Sequence, residues 1–315
     1  MNKKVKQRIK KLDTNWRSCI ILGSTSIYPG HFAMPRKRGE WNEERFKQYV
    51  KEGRGQNNAE NYLPWIKVQE FSSRGRVSRT KGWKTNRLHH LFSDHETRLF
   101  YLLEWSDIVI DIREQFPLLD LELARKISAD IGVRYPIDSQ SRFPHILTTD
   151  FMVTVNQSGK VCDVALTVKP SAELKKKRVI EKFDIERNYY AAKDIEWRIV
   201  TEKHIPKSLA KNIEWIHGAH RLEATSKNSI QDLEEVIITL KKRLQVSNLR
   251  ISQVTDNLDS ELGLEKGTSL YLFRHLVARK EIVVDMNSTK ACPDILAKDI
   301  QKIVVSSSLL EPKPA

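Results

Sequence analysis

The residues best placed to do chemistry lie on a β-hairpin in the middle of the chain. ILTTDFMVTV (146–155) and VCDVALTVK (161–169) flank turn residues at Gln157-Ser158-Gly159, the pattern of two strands joined by a tight turn. A turn centred near Ser158 sets Asp150 opposite Leu166 or Thr167. Alternate side chains share a face, so Thr167 and Lys169 lie together and Asp150 can join them on one side of the sheet. This is the geometry of a metal-dependent phosphodiesterase. The carboxylate, with a nearby carbonyl or a second acid, holds Mg²⁺, and the lysine amine positions or activates the attacking water. The same spacing also fits a cross-strand ion pair between Asp150 and Lys169 on a solvated face.

The second acid is Glu96, in SDHETRLFYLLEW. Leu99, Leu102 and Leu103 give that segment a helical stripe, opened by Ser93. Ser93-x-x-Glu96 also reads as a capping box, with Glu96 bonding back to the Ser93 amide. Glu96 is therefore both a metal-ligand candidate and a cap candidate. Glu181 and Glu186 fall on a long charged helix, roughly 172–193, where most acids are merely solvated.

Other elements must carry these residues. IVIDIREQF (108–116) alternates Ile108, Ile110 and Ile112 and predicts a strand ended by Pro117; residues 118–145 read as an irregular excursion. Pro170 closes the second hairpin strand, and after the charged helix come a strand at 197–202 and a helix around 213–217. Strand, hairpin, helix and strand in that order make a mixed α/β core. Beyond residue 225 the pattern changes to three amphipathic helices, beginning SIQDLEEVIITLKKRLQ, ISQVTDNLDSELGL and TSLYLFRHLVARKEI, followed by a short alternating EIVVDMN. Three helices and a small β element suggest a winged-helix-like, mainly α domain. The expected division is thus a basic extension (1–45), an α/β domain (46–224) and a C-terminal domain (225–315).

Composition narrows the class. The chain has 315 residues and a net charge of +14. Residues 1–90 hold 21 Lys and Arg against 7 Asp and Glu, so they account for the whole excess. The densest part carries Arg74, Arg76, Arg79, Lys81, Lys84 and Arg87 with no acid between Phe71 and Ser93, and Trp83, His89 and His90 lie in or beside it. Such a stripe is the footprint of a phosphate-backbone binder; a solvated basic loop is the plainer alternative. Three dispersed cysteines (Cys19, Cys162, Cys292) exclude a disulfide framework and a multi-cysteine zinc cage, and suit a reducing cytoplasm. Cys162 alternates inward in its strand, as a core residue. The nine histidines show neither HxxxH nor HExxH spacing, no apolar run is long enough to span a membrane, and the basic N-terminus lacks the apolar run of a secretory signal.

Several segments in register carry a family resemblance: KEGRGQNNAENYLPWIKVQEF, HHLFSDHETRLFYLLEW, DIREQFPLL, TTDFMV, VKPSAELKKKRVIEKFDIERNYY and KNIEWIHG. Together they resemble TnsA, the endonuclease subunits of heteromeric TnsA/TnsB transposases, over roughly residues 51–217 and more weakly beyond. The resemblance implies a restriction-endonuclease-like domain with a PD-(D/E)xK-type site for Mg²⁺ (Mn²⁺ as a substitute). It also implies cleavage of the 5′, non-transferred strands at transposon ends, while a TnsB-type partner cuts and joins the 3′ ends. Carried over by motif, Glu96 and Asp150 are the catalytic, metal-binding acids and Lys169 the catalytic lysine. The Val168 carbonyl is a further metal contact, and Glu186 matches another acidic position. Thr167 stands where the family usually has Gln and is counted with the metal-site residues, since a hydroxyl can still hold a water or a cation, though the metal shell can differ; Thr149 replaces the motif's Pro. The C-terminal domain is expected to contact a TnsC-type ATPase regulator, DNA contacts are expected mostly within residues 1–90, and the expected location is the bacterial cytoplasm, at the nucleoid during transposition. Two rival readings are a self-sufficient restriction-like nuclease and a non-catalytic DNA-binding assembly factor.

Overall fold

The structure, a computed structural model, describes residues 41–70, 76–223, 229–289 and 292–304. The basic extension up to residue 40, with Cys19, and Arg74 of the basic run lie outside the described residues. The chain forms two compact units that divide between Pro206 and Lys207, ahead of the 224/225 boundary expected from the sequence.

The first unit is organised by a four-stranded mixed sheet in the order β3-β4-β5-β6: β3 (Val109–Pro117), β4 (Thr148–Gln157), β5 (Lys160–Val168) and β6 (Glu196–Val200). β3, β4 and β5 are antiparallel and β6 runs parallel to β5. Ser158 and Gly159, with φ of 53° and 85°, make the two-residue β4–β5 turn; positive φ at both positions matches the twist of the flanking strands. Before the sheet come α1 (Glu43–Lys51), a two-stranded antiparallel pair β1 (Ser78–Lys81) and β2 (Leu88–Leu91), and α2 (Asp94–Trp105). Much of the basic run is thus a β-ribbon, with Arg79 opposite His90 and Lys81 opposite Leu88.

The excursion at 118–145 contains a helix that hydropathy alternation did not predict, α3 (Leu121–Asp130). Asp120 caps it by accepting from the Leu123 amide, and Ala124 and Ile127 face the core. With α4 (Lys177–Ala191), α3 covers one core built from Leu118, Leu147, Met152, Ala165, Ile185, Tyr189 and Tyr190. The alternation of Ile108, Ile110 and Ile112 does not hold as a face. The register shifts between Val109 and Asp111, so Val109 and Ile112 are buried while Ile108 and Ile110 are exposed; a bulge breaks the period of two. Cys162 is also exposed rather than core, at the turn end of β5 where the sheet is uncovered.

The second unit holds α5 (Lys207–His217), α6 (Ile230–Val246), α7 (Ile251–Leu262) and α8 (Thr268–Ala278), with the short antiparallel pair β7 (Ile282–Val283) and β8 (Lys302–Ile303). α8 packs against the other three helices. Gly263, in left-handed conformation, stops α7, and Asp259 accepts from the Gly267 and Ser269 amides to start α8, satisfying donors that a helix N-terminus leaves open.

Candidate active site

The hairpin register is Phe151 opposite Leu166 and Gln157 opposite Lys160, which brings Asp150 to the end of the ladder away from the turn, beside Thr167 and Val168. Here the Val168 amide donates to Asp150 Oδ2 at 2.6 Å. Glu96 arrives from the first turn of α2. Its amide donates to Ser93 Oγ at 3.2 Å, the Ser93 hydroxyl donates to Glu96 Oε1 at 2.8 Å, and the Phe92 amide donates to Oε2 at 2.9 Å. The cap expected from the sequence therefore exists, but it closes through the Phe92 amide rather than that of Ser93. The capping contacts orient Glu96, which faces Asp150, so capping leaves it beside the second acid.

The electrostatics tie these groups together. Burial, then repulsion from Asp150, push the Glu96 carboxyl up to about 8, against the pull of the Phe92 and Ser93 hydrogen bonds and of Lys169. Burial pushes Asp150 up to about 6, opposed by the Val168 amide, Lys169 and Gln115. Two acids this close cannot both ionise cheaply. Lys169 is an electrostatic neighbour of both, so Glu96, Asp150 and Lys169, distant in sequence, do converge. Glu96 is buried, while Asp150 and Lys169 are partly open to solvent.

Glu186 is not a solvated helix residue. It is buried on α4, where it accepts from the Thr167 hydroxyl at 2.7 Å, the Trp197 indole at 3.3 Å and the Thr149 hydroxyl at 3.4 Å. Burial and the charge of Asp150 push it up to about 7. The Thr167 hydroxyl is thereby committed to Glu186 and also accepts from Trp197 at 3.0 Å. Thr149 meets the Tyr190 hydroxyl at 2.8 Å. This layer joins the ends of β4 and β5 to α4 behind Asp150.

Of the basic run, Arg76, Arg79 and Lys81 are exposed, the last two on one face of β1. Lys84 donates to the Ser106 carbonyl at 2.9 Å. Arg87 departs from the expected DNA-contacting set. Its guanidinium makes two bonds to Glu114, at 2.9 and 2.5 Å, and reaches the carbonyls of Ile112 and Ala59. Glu114 also receives His89 Nδ1 at 2.8 Å and the His90 amide at 3.0 Å. His89 and the Arg87 guanidinium hold this fully buried carboxyl far below the usual carboxylate range. The physical reason is burial: a carboxylate inside a strand requires a paired cation. The available signal was the charged stretch Asp111-Ile112-Arg113-Glu114-Gln115 inside an otherwise apolar strand. Sequence reasoning also missed Gln115, whose side chain reaches the two site acids, and Lys182, half-buried near Lys169 and Glu186, where burial pulls its amine down.

Comparison with known proteins gives these positions a context. Residues 106–202 match the family model for the TnsA-like endonuclease N terminal, and residues 204–286 match that for the TnsA endonuclease C terminal. The chain is 36% identical over 245 residues to the transposon Tn7 transposition protein TnsA of Escherichia coli, covering 78% of this chain and 87% of that relative. The chain belongs to the TnsA family. The junction between the two TnsA models, at 202–204, falls close to the division between the compact units. Asp150, Lys169 and Glu186 lie inside the TnsA-like N-terminal segment and Glu96 ahead of it.

The donor set can be tested for a divalent cation. Among the described residues no three His, Cys, Asp or Glu side chains are grouped to hold a metal. What Glu96 and Asp150 offer is two carboxylates of raised proton affinity, one buried and the other, Asp150, partly open to solvent. That all-oxygen set fits Mg²⁺, which takes one or two carboxylates and fills its shell with water and substrate phosphate. It lacks the nitrogen and sulfur ligands of a structural zinc site.

Proposed function

We propose that this TnsA-family chain is the Mg²⁺-dependent endonuclease subunit of a cut-and-paste transposase, cleaving the 5′, non-transferred strands at transposon ends together with a TnsB-type partner. The observation that carries this reading is the convergence of Glu96, Asp150 and Lys169 at the open end of the β4–β5 hairpin. In this reading the first unit has a restriction-endonuclease-like fold and the second is a winged-helix-like module.

Glu96 and Asp150 would hold Mg²⁺, with the Val168 carbonyl as a further contact; Mn²⁺ would substitute. When bound, the cation supplies positive charge to the scissile phosphate and lowers the pKa of a coordinated water. The Lys169 ammonium orients the attacking water and offsets negative charge on the phosphate. Thr167, at the family's usual Gln position, acts through Glu186, because its hydroxyl is engaged there. Glu186 is a supporting acid that keeps the two strand ends together.

Arg76, Arg79 and Lys81 would track the DNA backbone, and the basic segment before residue 41 would add to them. Contact with a TnsC-type regulator is assigned to the second unit, where Ile238 and Val246 of α6 are exposed. Among the described residues no helix is long and apolar enough to cross a membrane; the proposed place of action is the bacterial cytoplasm, at the nucleoid during transposition.

The test is metal-dependent nicking by Asp150→Ala and Lys169→Ala proteins whose DNA binding is measured in parallel. The reading predicts loss of cutting in both with binding retained. Cutting that survives Asp150→Ala would overturn it.

A further inference from the structure

Gln115 is held in a conformation that a β-strand does not provide. It lies within β3 between Glu114, paired with Phe151, and Phe116, paired with Thr149, so the register places it directly across from Asp150. Yet its φ is +49°, in the left-handed region that a side chain other than glycine or asparagine rarely adopts. Its carbonyl accepts from the Trp65 amide at 3.3 Å, and the preceding Glu114 carbonyl accepts from the Tyr62 hydroxyl at 2.9 Å. The loop that makes these contacts is itself pinned. Arg54, under the Tyr49 ring, binds Glu70 through two bonds of 2.6 and 2.7 Å and donates to the Trp65 carbonyl at 3.2 Å.

The result of that strain is where the carboxamide goes. Its nitrogen approaches Glu96 Oε2 at 3.5 Å and its oxygen accepts from the Thr148 hydroxyl at 3.4 Å. Asp150, directly across the register, is the other acid beside it, and the carboxamide helps pull that carboxyl down. A carboxylate oxygen accepts and a hydroxyl serves either end of an amide, so Glu96 selects the NH₂ end and Thr148 takes the oxygen. Backbone strain of this kind persists when surrounding contacts over-determine it, and it concentrates at functional sites.

We infer that Gln115 is a positioning residue for the metal centre: its carboxamide bridges Glu96 and Asp150 and sets the separation at which both can bind one divalent cation. This rests on the proposed metal-dependent reading of the site. A neutral donor suits the task, because it bonds either carboxylate without competing for the cation. The loop at 54–65, through Trp65 and Tyr62, becomes part of the site although it supplies no side chain to the acids.

The informative variant is Gln115→Gly, since glycine accepts the positive φ and deletes only the side chain. Mn²⁺ binding to the full chain is followed by calorimetry or electron spin resonance, with the metal-free melting temperature and DNA affinity recorded alongside. Loss of a group that orients metal ligands costs about 10–100-fold in metal affinity, so the expected result is a Mn²⁺ Kd raised at least tenfold with unchanged melting and DNA binding. Gln115→Asn, which keeps the amide but shortens its reach, is expected to recover none of the affinity; Gln115→Ala should also melt at a lower temperature than Gln115→Gly. Wild-type Mn²⁺ affinity in Gln115→Gly, with Asp150→Ala still abolishing binding, would overturn this inference and leave the metal site intact. Absence of Mn²⁺ binding by the wild-type chain would instead overturn the metal-dependent reading itself.

Discussion

Arg87 separates a structural charge from a DNA-contacting one, and replacing it by alanine has two readouts that move oppositely in the two cases. The side chain is 8% exposed and its partner Glu114 is 0% exposed. Arg87→Ala removes two charge-assisted bonds to Glu114 and one each to the Ile112 and Ala59 carbonyls. It also removes a guanidinium that sits 4.9 Å from the Tyr62 ring centre. Breaking a buried pair from one side costs about 3–5 kcal/mol, because the remaining charge stays buried. Each kcal/mol is worth about 2–4 °C in a unit of 150–250 residues, so the first unit is expected to melt about 6–20 °C lower. The salt dependence of DNA binding should not change. Arg79→Ala is expected to do the reverse: little change in melting, and a loss of about 0.9 from the slope of log affinity against log salt, one phosphate's worth of released counterions. The assays are thermal melting by circular dichroism and DNA titration at four salt concentrations. Arg87→Ala protein that melts like wild type but loses a unit of salt slope would refute the burial reasoning.

Two further outcomes follow from the geometry. The Glu96 carboxyl is raised above its ordinary value, so the metal-free fold binds more protons than the unfolded chain, and stability present at low pH is lost as pH rises toward about 8. Glu96→Gln should therefore stabilise the metal-free protein at pH 8 and flatten its stability between pH 5 and 8, whereas cation affinity in the wild type should climb over the same range as protons leave Glu96 and Asp150; a flat affinity profile in calorimetry would contradict this. A Cβ on Gly55 would lie 2.1 Å from Pro117 Cγ at a φ of +71°, while one on Gly53 meets nothing within 4 Å, so Gly55→Ala should cost several times the ~1 kcal/mol expected of Gly53→Ala in urea unfolding, and equal losses would show that the loop yields.

The hairpin was legible because turn residues between two β-rich runs fix a register to within a residue, and the register alone brings Asp150 to Thr167 and Val168. Glu96 was legible as a cap because Ser93 and Glu96 are three apart; that it faces Asp150 depends on how α2 packs on the sheet, which spacing cannot supply. Helix α3 hid because its apolar face is short and sits between Pro117 on one side and Gly132, Arg134 and Pro136 on the other. Arg87 read as one more charge of the basic run until burial made it the partner of Glu114, and the left-handed backbone at Gln115 is held by Tyr62 and Trp65 from a loop about fifty residues upstream. In each case the missing information was tertiary: which charge is taken from water, and which neighbour holds a strained peptide.

In the proposed reaction Glu96 and Asp150, with Lys169, cut one defined strand. The most direct measurement is strand-resolved cleavage of DNA bearing the element's own ends, with Mg²⁺, with and without a TnsB-type partner, comparing wild type with Asp150→Ala. The expected result is 5′-strand cleavage that requires the partner and disappears in Asp150→Ala protein still bound to DNA. Cleavage by the wild-type chain alone would point to a self-sufficient nuclease, and cleavage retained by Asp150→Ala would contradict the assignment of the site.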